Sequence, residues 1–177
     1  MIVVIGGRAG SGKSTIARLV AKKLKLKHYS MGDLQRQIAK EKGISLVELG
    51  KLEEKYPKID KELDKKQKEL GEKEDNFIID GRLSAFFIPK AVKLFLDADE
   101  KTRAERISKD NREAEKSASI SKTIENMRKR EESENKRYRE YYKMDCYDKS
   151  GYDVVIDTTN LTIEQVAEQV LETIKNQ

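Results

Sequence analysis

The stretch Gly7-Arg8-Ala9-Gly10-Ser11-Gly12-Lys13-Ser14-Thr15 combines residue types that suit one task, cradling a chain of phosphates. It fits the spacing G-x-x-x-x-G-K-S/T. Gly7, Gly10 and Gly12 can take positive φ, which lets successive backbone N–H groups turn inward on an anion. Lys13 brings a charge for the β- and γ-phosphates, and the Ser14 hydroxyl is a ligand for Mg²⁺. The spacing therefore predicts a nucleoside triphosphate on residues 7–15.

Other charged residues fall where they could complete a phosphoryl-transfer site. Asp80-Gly81-Arg82 follows an apolar run. Asp80 there could hold Mg²⁺ through water, and Arg82 could fork onto a phosphate. Ser30-Met31-Gly32-Asp33 precedes Arg36 by the length that lets an arginine swing toward a second anion. Arg130, Glu134 and Arg137 share one helical face, with Arg103, Arg106 and Arg112 nearby in sequence. Such charge suits a γ-phosphate in transfer, where water must also be excluded. Asp60, Asp64 and Gln67 share another face and suit either of two readings, contacts to a base edge or a solvated outer surface.

The elements that must carry these residues can be read from periodicity. Buried strands are expected at 2–6, 27–30, 76–80, 92–97 and 152–157, each followed by helical spacing or a turn. Helices are expected at 16–24, 33–42 with Gly43 ending it, from 45, 58–70, 99–109, 119–142 and 161–174. Ser45 with Glu48, and Thr162 with Gln165, have the spacing of capping boxes. Alternation of strand and helix predicts an α/β chain with one five-stranded parallel sheet covered on both faces. Gly7, Ser30, Asp80, Asp97 and Asp157 would sit at the carboxyl ends of its strands, where such sheets bind ligands. The run 128–137 contains no apolar residue. It is expected to pack against nothing and to work as a mobile lid joined through a loop at 111–119.

At 177 residues the chain suits one domain. Its net charge of +5, spread along the sequence, suits anionic small molecules as well as nucleic acid and by itself does not choose between them; no clear basic stripe with interleaved aromatics favours the latter. The lone Cys146 and the lone His28 are read as packing or surface residues. No run reaches the ~18 apolar residues of a membrane span, and the expected location is the cytoplasm.

In order along the chain stand the phosphate loop, Ser30-x-Gly32-Asp33-x-x-Arg36, Asp80-Gly81-Arg82, Leu94-Phe95-Leu96-Asp97, Arg130-Glu131-Glu132-Ser133-Glu134 and Asp157-Thr158-Thr159. Together with Ile59 to Gln67 this series resembles the cytidylate kinases of short archaeal type, among the nucleoside monophosphate kinases. The resemblance implies a three-layer P-loop kinase fold and ATP-dependent, Mg²⁺-assisted phosphorylation of CMP, and often dCMP. It implies a core of 1–30, 76–102 and 150–177, an acceptor-binding insertion at about 31–75 and a lid at about 103–142. By the same resemblance Lys13, Arg82, Arg130 and Arg137 are catalytic, and residues 7–15 with Arg106 bind ATP. Ser30, Gly32, Asp33, Arg36, Asp60, Asp64, Gln67, Gly81, Arg82, Arg130, Glu134 and Arg137 face the acceptor, while Ser14 and Asp80 serve the metal. A monomer that binds neither nucleic acid nor membrane is implied. Two departures stand out: Leu83 replaces the acidic residue that follows Asp-Gly-Arg in bacterial relatives, and Lys13-Ser14 replaces the threonines of many short archaeal members. An adenylate kinase is the near alternative, and an RNA-binding nucleotide switch the distant one.

Overall fold

A computed structural model describes residues 1–110 and 119–176 of the chain. Five parallel strands form one sheet in the order β2-β3-β1-β4-β5. They are β1 (Ile2–Gly7), β2 (Lys27–Ser30), β3 (Phe77–Asp80), β4 (Val92–Asp97) and β5 (Val154–Asp157). Central β1 is buried along its whole length, and alternation decides which layer each residue meets. Val3 and Ile5 join α1 (Lys13–Leu24) and α8 (Ile163–Lys175) through Ile16, Val20, Val166 and Val170. Ile2 and Val4 point the other way, toward Met31, Phe77, Ile79 and Ile88. Each such side chain contributes roughly 1.5–3 kcal/mol by leaving water. Ile5→Ala, at full burial, would cost about 2–5 kcal/mol.

The acceptor-side helices are α2 (Met31–Lys42), α3 (Leu46–Lys55) and α4 (Lys58–Lys73). Ser30 caps α2 by accepting from the Asp33 N–H, and Gly43 ends it at φ 66°. Both predicted capping boxes are formed, at Ser45/Glu48 and Thr162/Gln165. The segment ahead of β5 begins its pairing at Val154, two residues later than expected. A one-turn helix, α5 (Ser84–Phe87), was not foreseen, because four residues give no period to read.

The long charged arm differs most from its sequence reading. Helices α6 (Glu100–Lys109) and α7 (Ile120–Tyr142) do form, with Ser119 capping α7. Of the loop expected at 111–119, residues 111–118, with Arg112, lie outside the described residues. Yet α7 is packed against the body although its run 128–137 has no apolar residue. Met127 seals one end against Ala9, Ala104 and Ile107, while Glu134, Arg137 and Tyr138 are buried further along. Buried ion pairs replace the apolar stripe. Sequence spacing could not show this, because the partners come from distant helices.

Candidate active site

The carboxyl ends of the strands open into a cleft of about 590 Å³. At one end lies the loop 9–15, which enters α1 through Gly12 at φ 93°. The loop's curvature is enforced by its neighbours. A Cβ on Gly7 would stand 2.0 Å from the Leu96 carbonyl oxygen, and one on Gly10 would stand 2.5 Å from that of Arg103. With the α1 dipole pointing into the cleft, this end is built for an anion.

Lys13 projects into the same space and donates to the Arg8 carbonyl at 3.0 Å. Burial, reinforced by the Arg82 charge, pushes its pKa down to about 7, with Asp80 and Glu134 opposing. Arg106 also lines the cleft, donating to the Thr158 hydroxyl at 2.9 Å and its carbonyl at 2.7 Å. Thr158 in turn donates to the Ser11 carbonyl at 3.1 Å.

Ser14 donates its hydroxyl to Asp80 at 2.7 Å. Asp80, almost fully buried, also accepts from the Ser30 hydroxyl at 3.1 Å and touches His28 Nε2 at 2.7 Å. A hydroxyl beside an oriented carboxylate fits a hard cation that keeps waters and takes its other ligands from phosphate. Among the described residues no cluster of three acidic, His or Cys side chains competes for that role. His28 was read as a packing residue. Its contact with Asp80 places it beside the candidate site, which one histidine on a short strand does not announce.

Arg36, Arg82 and Arg130 line the same cleft. Arg82 Nε pairs with Glu134, and Arg82 Nη2 is buried with no hydrogen-bond partner. Arg130 lies 4.0 Å from the same carboxylate. Burial alone would raise the Glu134 carboxyl, but Arg82, Arg130 and the Tyr147 hydroxyl hold it below the usual range. Below them, Asp60, Asp64, Gln67 and Gly81 line the cleft with Gly32. The three α4 side chains are buried, so the outer-surface reading falls. Gln67 accepts from Ser84 at 2.6 Å and donates to Asp64 at 3.3 Å, and Asp64 accepts from Tyr142 at 2.5 Å. Burial pushes Asp64 up to about 6.

Several predicted site residues stand behind the cleft wall. Gly7 closes β1, while Ser30 and Asp33 form the α2 cap, with Asp33 also paired to Arg36 and Arg18. Glu134 supports the arginines. Arg8 turns out of the loop toward Glu131, at 2.6 Å. Arg137 departs furthest from expectation. It donates to Asp60 at 2.6 Å, Ser133 at 2.7 Å and the Gly50 carbonyl at 3.4 Å, and pairs with Glu53 at 2.9 Å. It is 2% exposed, fastens α7 to α3 and α4, and is not among the residues lining the cleft. Glu131 was not singled out from the sequence, yet it holds both Arg8 and Arg103. Its neighbours Glu132 and Glu134 make it one acid among several until the fold chooses.

The model of the cytidylate kinase-like family matches residues 2–160. A cytidylate kinase of Methanobrevibacter smithii is 40% identical over 99% of each chain. One of Methanocaldococcus jannaschii is 40% identical, covering 99% of this chain and 98% of its own. Among solved structures, an uncharacterized protein from Eubacterium ventriosum superposes with a TM-score of 0.71 at 18% identity, over 100% of this chain and 99% of its own. A shikimate kinase of Bacteroides thetaiotaomicron gives 0.65 at 14%, over 99% and 98%. At those identities the two structures speak for the fold alone.

Proposed function

The chain belongs to the cytidylate kinase-like family, and from that premise we propose that its cleft transfers the γ-phosphoryl group of ATP to CMP, and to dCMP. One observation carries the reading. The 9–15 loop and the trio Arg36, Arg82 and Arg130 line one continuous cleft, and both offer groups suited to phosphate. Phosphoryl transfer needs this arrangement, since donor and acceptor phosphates must meet in line with their charge neutralised.

In this reading Lys13 and the loop N–H groups hold the donor phosphates, and Arg36 and Arg82 hold the acceptor phosphate. The unpartnered Nη2 of Arg82 supplies a charge-assisted bond to it. Arg130 stands where charge grows on the moving group. Ser14, and Asp80 through water, would hold Mg²⁺, which would supply positive charge to the triphosphate. Asp64 and Gln67 meet the acceptor base, and the enzyme works as a monomer.

The test is a coupled assay of ADP release from Mg-ATP with each nucleoside monophosphate in turn. CMP and dCMP are expected to give the highest kcat/KM, and a clear preference for AMP would overturn the assignment.

A further inference from the structure

The segment between α7 and β5 brings Tyr147 to the back of the cleft, where it touches three functional groups at once. Its hydroxyl donates to Glu134 at 2.7 Å and accepts from Arg82 Nε at 3.4 Å. Its ring carries the Arg8 guanidinium, 4.2 Å from the ring centre. Arg8 belongs to the phosphate loop, Arg82 to the acceptor end and Glu134 to α7, so one side chain bridges all three.

We propose that Tyr147 is a positioning residue for phosphoryl transfer, acting through Arg82. The guanidinium of Arg82 is planar, and fixing its Nε edge fixes the direction of its Nη atoms. Glu134 alone could hold that edge, but a carboxylate with two oxygens and a second arginine, Arg130, within 4.0 Å has more than one pairing open to it. The Tyr147 hydroxyl occupies the same Oε2 that pairs with Arg82 Nε. It thereby closes a three-membered hydrogen-bonded set and leaves Arg82 Nη2 buried and unpartnered beside the cleft. The ring works on the other substrate's side, since Arg8 is held between it and Glu131. Tyr147 itself touches no reacting atom. Its effect is to keep donor loop and acceptor arginine in register, where small displacements weigh heavily on rate.

The inference rests on the proposed kinase reading, and the experiment separates the two. Y147F keeps the ring under Arg8 and removes only the hydroxyl. Its kcat should fall roughly tenfold, more than any rise in KM for CMP, while KM for ATP stays within about twofold, because a misaimed Arg82 is felt most in the transition state. Its melting temperature should stay within a few degrees of the parent. E134Q should lower kcat as well, and the double variant should be no slower than the slower single within twofold, since both act on Arg82. A reading that needs no variant is solvent exchange of the Arg82 Nε–H proton in ¹⁵N spectra of the unmodified enzyme, expected to be slow. Kcat within twofold of the parent in Y147F, strictly multiplicative effects, or an Nε–H as fast as free arginine would each overturn the proposal. Failure of the kinase reading looks different, as absent transfer to any monophosphate by the unmodified chain.

Discussion

Lys13 must be a cation in surroundings that discourage one. With its pKa pushed down to about 7 by burial and by Arg82, a substantial fraction of the ligand-free protein is uncharged there near neutral pH. Triphosphate reverses the balance, because the anion favours the protonated amine. Binding therefore takes up a proton, and affinity for ATP falls as pH rises above 7. Calorimetry in buffers of different ionisation enthalpy should show uptake approaching one proton per site at pH 8; no uptake would remove Lys13 from the phosphate site. Asp64 poses a different question, since it already accepts from Tyr142 and Gln67. If it also reads the acceptor base, Asp64→Ala should raise KM for CMP roughly 10–100-fold, as a base-edge contact worth about 1–3 kcal/mol requires. KM for ATP should hardly change. Equal KM values in parent and variant would leave Asp64 as a support for Tyr142 only.

At the scale of elements, the junction of α3, α4 and α7 is a buried charge cluster in which two carboxylates, Glu53 and Asp60, share Arg137. Burial, with Asp60 adding to it and Arg137 opposing, pushes the Glu53 carboxyl up to about 7. A carboxyl raised in the folded state binds its proton more tightly there than in the unfolded chain. Stability is thus greatest below the unfolded pKa and declines as pH rises from about 4.5 to 7, by at most ~1.4 kcal/mol per unit for one proton. Glu53→Gln should flatten that decline in denaturant titrations between pH 5 and 8; an unchanged slope would place the titration elsewhere. The same junction shows what spacing can and cannot reveal. The strands, the two capping boxes and the phosphate loop were legible because their signals are local: β-branched runs, a Ser or Thr three residues before Glu or Gln, glycines at fixed intervals. The face 130/134/137 was legible as a face, but not as a buried one. Glu53 and Tyr147 were not legible at all, since their meaning lies in partners 84 and 13 residues away, at Arg137 and Glu134.

For the whole molecule, the parallel sheet gathers the ends of its strands on one side, and the helices between them carry arginines back to that side. The glycine loop follows β1, Asp80 ends β3, and the arginines lining the same cleft come from α2, the turn after β3, and α7. None of these segments makes a site alone, and the cleft exists only where they meet. The central claim is that a phosphoryl group crosses this cleft from one nucleotide to another. Incubating the protein with Mg²⁺, γ-³²P-labelled ATP and CMP, then separating the nucleotides, tests it most directly. Label is expected in CDP, formed one for one with ADP and abolished by Lys13→Ala in a folded protein. Label released only as inorganic phosphate, at a rate indifferent to CMP, would contradict it.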